Sequence, residues 1–474
     1  MFGRWGRLVY RHRRVVALVS LLVAAGASVL AAQASSNLST GGWMVSGSES
    51  ARVAQRLETE FGHTGTSLIV LYRTSDGRPI TDVEPQAAIG RSLAQVAADP
   101  SVAGVLRWDA QRPDPALIST DVTATYAVIA LNVTDEESID VVEDVRGLIA
   151  LQPGLNFQLT GYGPLALDSN VQSEADLQRA ELVSLPLALL ILVLVFASVV
   201  AAGMPLLVAG LAIPTTLGLV FVVSHQVEMS IYVLNVSTML GLALAIDYSL
   251  FIVSRFREEL ARGRTSEEAV ERAVATSGKA VVFSGAAVAI GLLGLLFFES
   301  PAISSMGIGG SLVVLCSVFY ALTFLPAALG MLGPRVNALS FAGLFAAVRR
   351  RLGRPAEVRA PRESWWGRVA SWVMAHPVAV LVPTLGLLLL AGTPYLHLQQ
   401  AVPDAAVLPP GLKSRDAAVA LDREFPPGET VPYIVLAEVD GDPVSAENAY
   451  ALATFASALD QVDGVDKVEG PFSG

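Results

Sequence analysis

Seven apolar runs punctuate the chain, at about residues 15–34, 182–202, 204–224, 231–253, 280–298, 304–332 and 372–395. Each is long enough to cross a hydrocarbon layer of about 30 Å at roughly 1.5 Å per helical residue. Between the first two lies a polar stretch with different periods. Apolar and polar residues alternate there over 67–73, 102–108, 124–133 and 156–161, as in half-buried strands, while 82–98 and 136–151 repeat with helical spacing. Gly161-Tyr162-Gly163-Pro164 ends the last strand, and a polar helix from about Leu165 to Arg179 then runs into the second apolar run. A continuous rod of that kind can carry motion between a membrane bundle and an outer domain.

The β-α-β-β-α-β order is that of a split βαβ, ferredoxin-like unit. The fold expected is therefore an α-helical polytopic membrane protein with α/β domains outside the membrane. Composition agrees, with 53% hydrophobic and 16% charged residues and a mean hydropathy of +0.53. The net charge of -11 hides a segregation. Arginines cluster beside the apolar runs, at Arg4 to Arg14, Arg255 to Arg264 and Arg349 to Arg354, whereas 35–180 is rich in acids. Arginines so placed read as topology signals rather than a nucleic-acid surface. They put the N-terminus, the 254–279 loop and the 333–370 link in the cytoplasm, and 35–181 and 396–474 outside, in a plasma-membrane protein. Ala32-Gln33-Ala34 also fits a signal-peptide cleavage site, but the first run is nearer span length, which favours an uncleaved anchor. The single cysteine, Cys316, lies in an apolar run, and neither a zinc-site spacing nor a serine nucleophile elbow is present. No cofactor and no enzymatic activity are expected.

A long-period repeat organises the whole. Trp5-Gly6-Arg7 before the first run returns as Trp366-Gly367-Arg368 before the seventh. Glu60-Phe61 returns as Glu424-Phe425, and Asp76-Gly77-Arg78-Pro79 as Asp440-Gly441-Asp442-Pro443. A half-chain duplication is implied, with the second half expected to be truncated, since its completion would need five more spans. The domains expected are 1–34 (N-terminus and first span), 35–181 (first outer domain), 182–332 (spans two to six), 333–370 (cytoplasmic link), 371–395 (seventh span) and 396–474 (start of a second outer domain). The link, with Pro355 and Pro361 among its arginines, is expected to lie along anionic headgroups.

Asp247 stands in the middle of the fourth apolar run, Ile231 to Val253. A charged carboxylate at that depth costs about 2.5–3.5 kcal/mol on insertion scales, so it is expected to face protein or water and to be functional. Gly241-Leu242-Ala243-Leu244-Ala245-Ile246-Asp247-Tyr248-Ser249-Leu250-Phe251, followed by Ser254-Arg255-Phe256-Arg257-Glu258-Glu259, resembles the signature of MmpL-type transporters of the resistance–nodulation–division superfamily. The resemblance implies secondary active export of a lipid or other hydrophobic or amphipathic molecule, driven by the proton-motive force. It implies porter domains outside the membrane and a proton relay in which Asp247 carries the proton beside Tyr248, meeting an equivalent pair on a tenth span. Ser284 in the fifth run is a polar residue of the kind that completes such a network, with ordinary helix back-bonding as its alternative. Phe251 and Phe256 match aromatic positions lining the family's central cavity, with plain packing as their alternative. Lipid access is expected near Leu165–Leu182 and Gln399–Pro410. Gly241, Gly307, Gly309 and Gly310 are expected points of close helix approach. Protons, membrane lipids and the lipid cargo are the partners implied, and the family includes monomers and trimers. Two alternatives within the superfamily are an export-assisting subunit of a protein translocase and a receptor-like, sterol-sensing membrane protein.

Overall fold

The computed structural model describes residues 1–39, 45, 47–61, 66–111, 113–339, 365–398, 405–426, 433–465, 467–468 and 470. The link expected over 333–370 lies, from 340 to 364, outside the described residues.

Among the described residues, seven helices are long and apolar enough to cross a membrane. Near the N-terminus, the short α1 (Phe2–Arg11) precedes the first of them, α2 (Arg13–Ala31). The stretch between the first two spans begins with α3 (Glu49–Phe61) and continues as β1 (Ser67–Thr74), α4 (Val83–Leu93), β2 (Val102–Leu106), β3 (Ala124–Leu131), α5 (Asp135–Leu148) and β4 (Leu155–Gly161). The remaining helices of the bundle are α6 (Tyr162–Phe196), α7 (Val199–Ser224), α8 (Tyr232–Ala261), α9 (Ser266–Ala273), α10 (Lys279–Leu293), α11 (Pro301–Leu322) and α12 (Phe324–Leu332). After them come α13 (Trp365–Ala375), α14 (Pro377–Gly392), α15 (Lys413–Glu424) and α16 (Ala446–Leu459).

The four strands form one sheet in the order β2-β3-β1-β4, with all three pairings antiparallel. Alternation along β1 explains both of its faces. Leu68, Val70 and Tyr72 point toward α4 and α5 and pack with Ile89, Val142 and Val145. Ile69 and Leu71 point the other way, onto Tyr126, Ala417, Leu421 and Phe425. A strand covered on both faces reads as a continuous apolar run, as Leu68 to Leu71 does. Burial also pushes the Tyr72 hydroxyl up to about 12, so it stays neutral and donates to Ser92 Oγ at 3.0 Å.

The cover on the second face comes from the far side of the chain. α15 lays Ala417, Leu421 and Phe425 on the sheet, and its ends are pinned by Ser414 Oγ donating to Asp168 at 2.5 Å and by Arg73 paired with Glu424 at 2.5 Å. Arg56 of α3 in turn pairs with Glu438. Phe425 meets the Tyr126 ring edge-on, with centroids 5.1 Å apart. Phe425→Ala is expected to cost the packed face about 3–5 kcal/mol. Hydrogen exchange should therefore quicken across β1, β3 and β4, which are laddered together, while the membrane helices keep their protection. Residues 433–436 carry no strand, and no neighbouring strand among the described residues offers them a ladder.

The break between the second and third spans differs from expectation. It falls at Ala197–Ser198, where Ala197 has φ 52°, and not near Ala201 and Gly203. Ser198 is the reason, since it is an N-cap whose Oγ accepts from Ala201 N at 3.4 Å and donates to the Val336 carbonyl at 2.8 Å. Before that break α6 runs 35 residues without interruption, roughly 50 Å at the helical rise. It joins the sheet directly to the bundle.

Bare helix surfaces let the bundle close. A Cβ on Gly241 would stand 2.7 Å from Ile213 Cγ1, and one on Gly309 would collide with Val233 and come within 2.9 Å of Ser237 Oγ. α2 is part of this packing, with Ala17, Ser20 and Ala24 buried. Gly218 on α7 meets Ala27 of α2 backbone to backbone.

Candidate functional site

The site is read from the two faces of α8. Gly241, Ala245, Tyr248, Ile252, Phe256 and Glu259 recur every three or four residues and are all buried, so one stripe of the helix is fixed against α7 and α11. Ala243, Asp247 and Phe251 form the next stripe, at four-residue spacing, and all three are exposed on the chain. Asp247 and Tyr248 are thus adjacent in sequence but turned about a quarter of the circumference apart. One faces out of the bundle and the other faces in.

The Tyr248 ring is 5% exposed. Its hydroxyl is buried with no hydrogen-bond partner of ordinary geometry, although Ser284 on α10 lies close enough to interact with it. The Ser284 hydroxyl itself donates to the Val281 carbonyl at 3.2 Å. Gly285 makes the approach possible, because a Cβ there would lie 2.5 Å from Val318 and 3.5 Å from the Tyr248 hydroxyl. A buried hydroxyl left without a partner is unusual. Tyr248 and Ser284 thus approach each other inside the bundle, whereas Asp247 stays on the exposed stripe.

The two aromatic residues are not brought together. Phe251 is 60% exposed, on the stripe of Asp247. Phe256 is fully buried in the bundle core, and Arg257 beside it reaches over the Phe196 ring. A separate cavity of about 290 Å³ opens where α6, α7 and α8 meet, lined by Leu177, Glu181, Leu185, Ile213 and Met239 among others. Its α6 wall includes the end of the stretch expected to admit lipid.

Sequence reading missed the charged knot one turn below. Glu259 is 0% exposed and takes Arg255 at 2.8 Å, Arg262 at 2.6 Å and Arg264 at 2.5 Å. Arg257 adds a bond from Nε to Asn337 Oδ1 at 2.6 Å. The knot ties the end of α8 to the turn into α9, whose N-cap Thr265 closes a capping box with Glu268. The signal was on view as four arginines and two glutamates in ten residues, but their spacing alone does not say which glutamate turns inward.

The profile of the MMPL family matches residues 42–380. The trehalose monomycolate exporter MmpL3 of Mycolicibacterium smegmatis is 30% identical over 478 residues, covering 94% of this chain and 46% of the relative. The heme uptake protein MmpL11 of Mycobacterium tuberculosis is 31% identical over 483 residues, covering 99% of this chain and 48% of the relative. A putative membrane protein of Streptomyces coelicolor is 33% identical over 385 residues, covering 79% and 51%. The chain spans about half the length of the curated relatives it matches. A profile that covers most of the chain, together with seven apolar helices among the described residues, settles the family. The chain belongs to the MMPL family.

Proposed function

We propose that this chain is the N-terminal half of a proton-driven exporter of lipids or similar amphipathic molecules. The observation that carries the reading is the outward-facing Asp247 next to the buried Tyr248 hydroxyl, which Ser284 approaches. A charged carboxylate is too costly to leave against hydrocarbon, so its stripe is assigned to a protein-facing seam in the assembled transporter. Protonation removes the charge and with it the cost of exposing that stripe to apolar neighbours. Proton binding and release at Asp247 therefore change which packing of α8 is stable, and Tyr248 and Ser284 supply hydroxyls along the route. Each proton moving down the membrane potential delivers about 2.3 kcal/mol per 100 mV.

The outer sheet and the bundle are joined by the unbroken α6, so movement at α8 passes through their shared contacts to the outer domain. The cavity of about 290 Å³ beside Glu181 is assigned to lipid access from the outer end of the bundle. Lipid cargo is favoured by the apolar lining and by the similarity to a trehalose monomycolate exporter. The arginine clusters set the N-terminus and the turn after α8 on the cytoplasmic side, with the outer sheet outside.

The test uses the full-length protein in vesicles with a pH gradient and a fluorescently tagged glycolipid. Gradient-dependent movement of the probe should stop when a protonophore collapses the gradient. Movement that continues at the same rate would overturn proton drive.

A further inference from the structure

The first ten residues make a helix that belongs neither to the seven spans nor to the relay. Gly6 and Val9 of α1 are buried, and a Cβ on Gly6 would stand 3.1 Å from the Glu271 Cα of α9. Arg7 pairs with Glu271 at 3.3 Å. The Trp5 indole N–H donates to the Leu322 carbonyl at 3.0 Å. That carbonyl lacks its usual helical donor, because the residue four places on is Pro326 and proline has no N–H. Trp5-Gly6-Arg7, one half of the sequence repeat, is thus three adjacent contacts that fix α1 beside the kink between α11 and α12.

The other side of α1 is open and two-toned. Trp5 and Leu8 are 42% and 51% exposed. With Met1, Phe2, Arg4 and Leu322 they line a cavity of about 550 Å³. Arg4, Arg7 and Arg11 follow at helical spacing along the neighbouring stripe. Arg7 is taken by Glu271, whereas Arg4 has no ion-pair partner among the described residues. The lining therefore combines apolar walls, a tryptophan and one uncompensated guanidinium, at the membrane-facing edge of an amphipathic helix. That combination suits a molecule with a hydrocarbon tail and a negative head.

The geometry points to a binding site for one anionic phospholipid in the cavity between α1 and the α11–α12 kink. The acyl chain lies along Trp5, Leu8 and Leu322, and the phosphate sits on the Arg4 guanidinium. On the orientation proposed above, the lipid comes from the cytoplasmic leaflet. The site is independent of the transport reading, since it uses none of the relay residues.

Native mass spectrometry of the full-length protein tests the site, with phosphatidylglycerol and phosphatidylcholine supplied at equal concentration. The wild type should retain one phosphatidylglycerol in clear preference to phosphatidylcholine. Arg4→Gln, on an exposed side chain that the fold does not need, should lower that retention several-fold, and Leu8→Gln should do the same from the apolar side. Arg14→Gln, outside the cavity, should leave it unchanged. Equal retention of the two lipids by the wild type overturns the proposal. So does wild-type retention in both cavity variants. An equal loss in Arg14→Gln also overturns it, because the attraction would then belong to the whole basic surface.

Discussion

Asp247→Asn is expected to reduce gradient-driven transport to the rate seen without a gradient, while the protein inserts and folds as before. Asparagine keeps the size of the side chain and its hydrogen-bonding capacity but cannot gain or lose the proton. Asp247 makes no ion pair or side-chain hydrogen bond among the described residues, so the exchange breaks no bond within this half of the bundle. It also removes the cost of placing a carboxylate in an apolar layer, so stability should be unchanged or slightly higher. Loss of transport together with intact thermal unfolding is the signature of a coupling residue. Tyr248→Phe, which deletes only a buried hydroxyl with no hydrogen bond of ordinary geometry, should slow transport less.

Glu259→Ala is expected to have the largest effect on folding. The substitution leaves Arg255, Arg262 and Arg264, now within 2.8 Å of one carboxylate, crowded together without it. Only the carboxylate is fully buried, and its loss leaves three part-exposed like charges with no counter-charge between them. Abundance in the membrane fraction should fall several-fold. Glu258→Ala, which removes a carboxylate 54% exposed at its side chain, should change abundance little, because exposed pairs contribute weakly. Equal losses from the two variants would remove Glu259 from its place as the organising charge.

Much of this arrangement was legible in the chain. The seven apolar runs, the four strands and the two outer helices fall where their periods put them, because burial on one face imposes a repeat that survives without knowledge of the fold. Asp247 and Tyr248 stood out for a related reason, since an ionisable group inside a span has few structural uses. Four features were hidden. The span boundary at Ala197–Ser198 depends on a single capping hydroxyl that reaches residues near 336, a contact far apart in sequence. The cover of the outer sheet by α15 is likewise long-range, although Leu421 and Phe425 were present as one apolar helix stripe. Phe251 and Phe256 looked equivalent in the motif, yet five residues rotate them onto different faces, one exposed and one in the core. The Glu259 knot was visible only as composition, because one helical turn decides which of two adjacent glutamates is buried.

The central claim is that Asp247 exchanges a proton in step with cargo movement. The most direct measurement is cargo-triggered proton flux, read with a pH-sensitive dye inside vesicles that hold the full-length protein. Addition of lipid cargo should start a proton flux in the wild type and none in Asp247→Asn. The same flux in both proteins would contradict the account, because the proton would then cross without using this carboxylate.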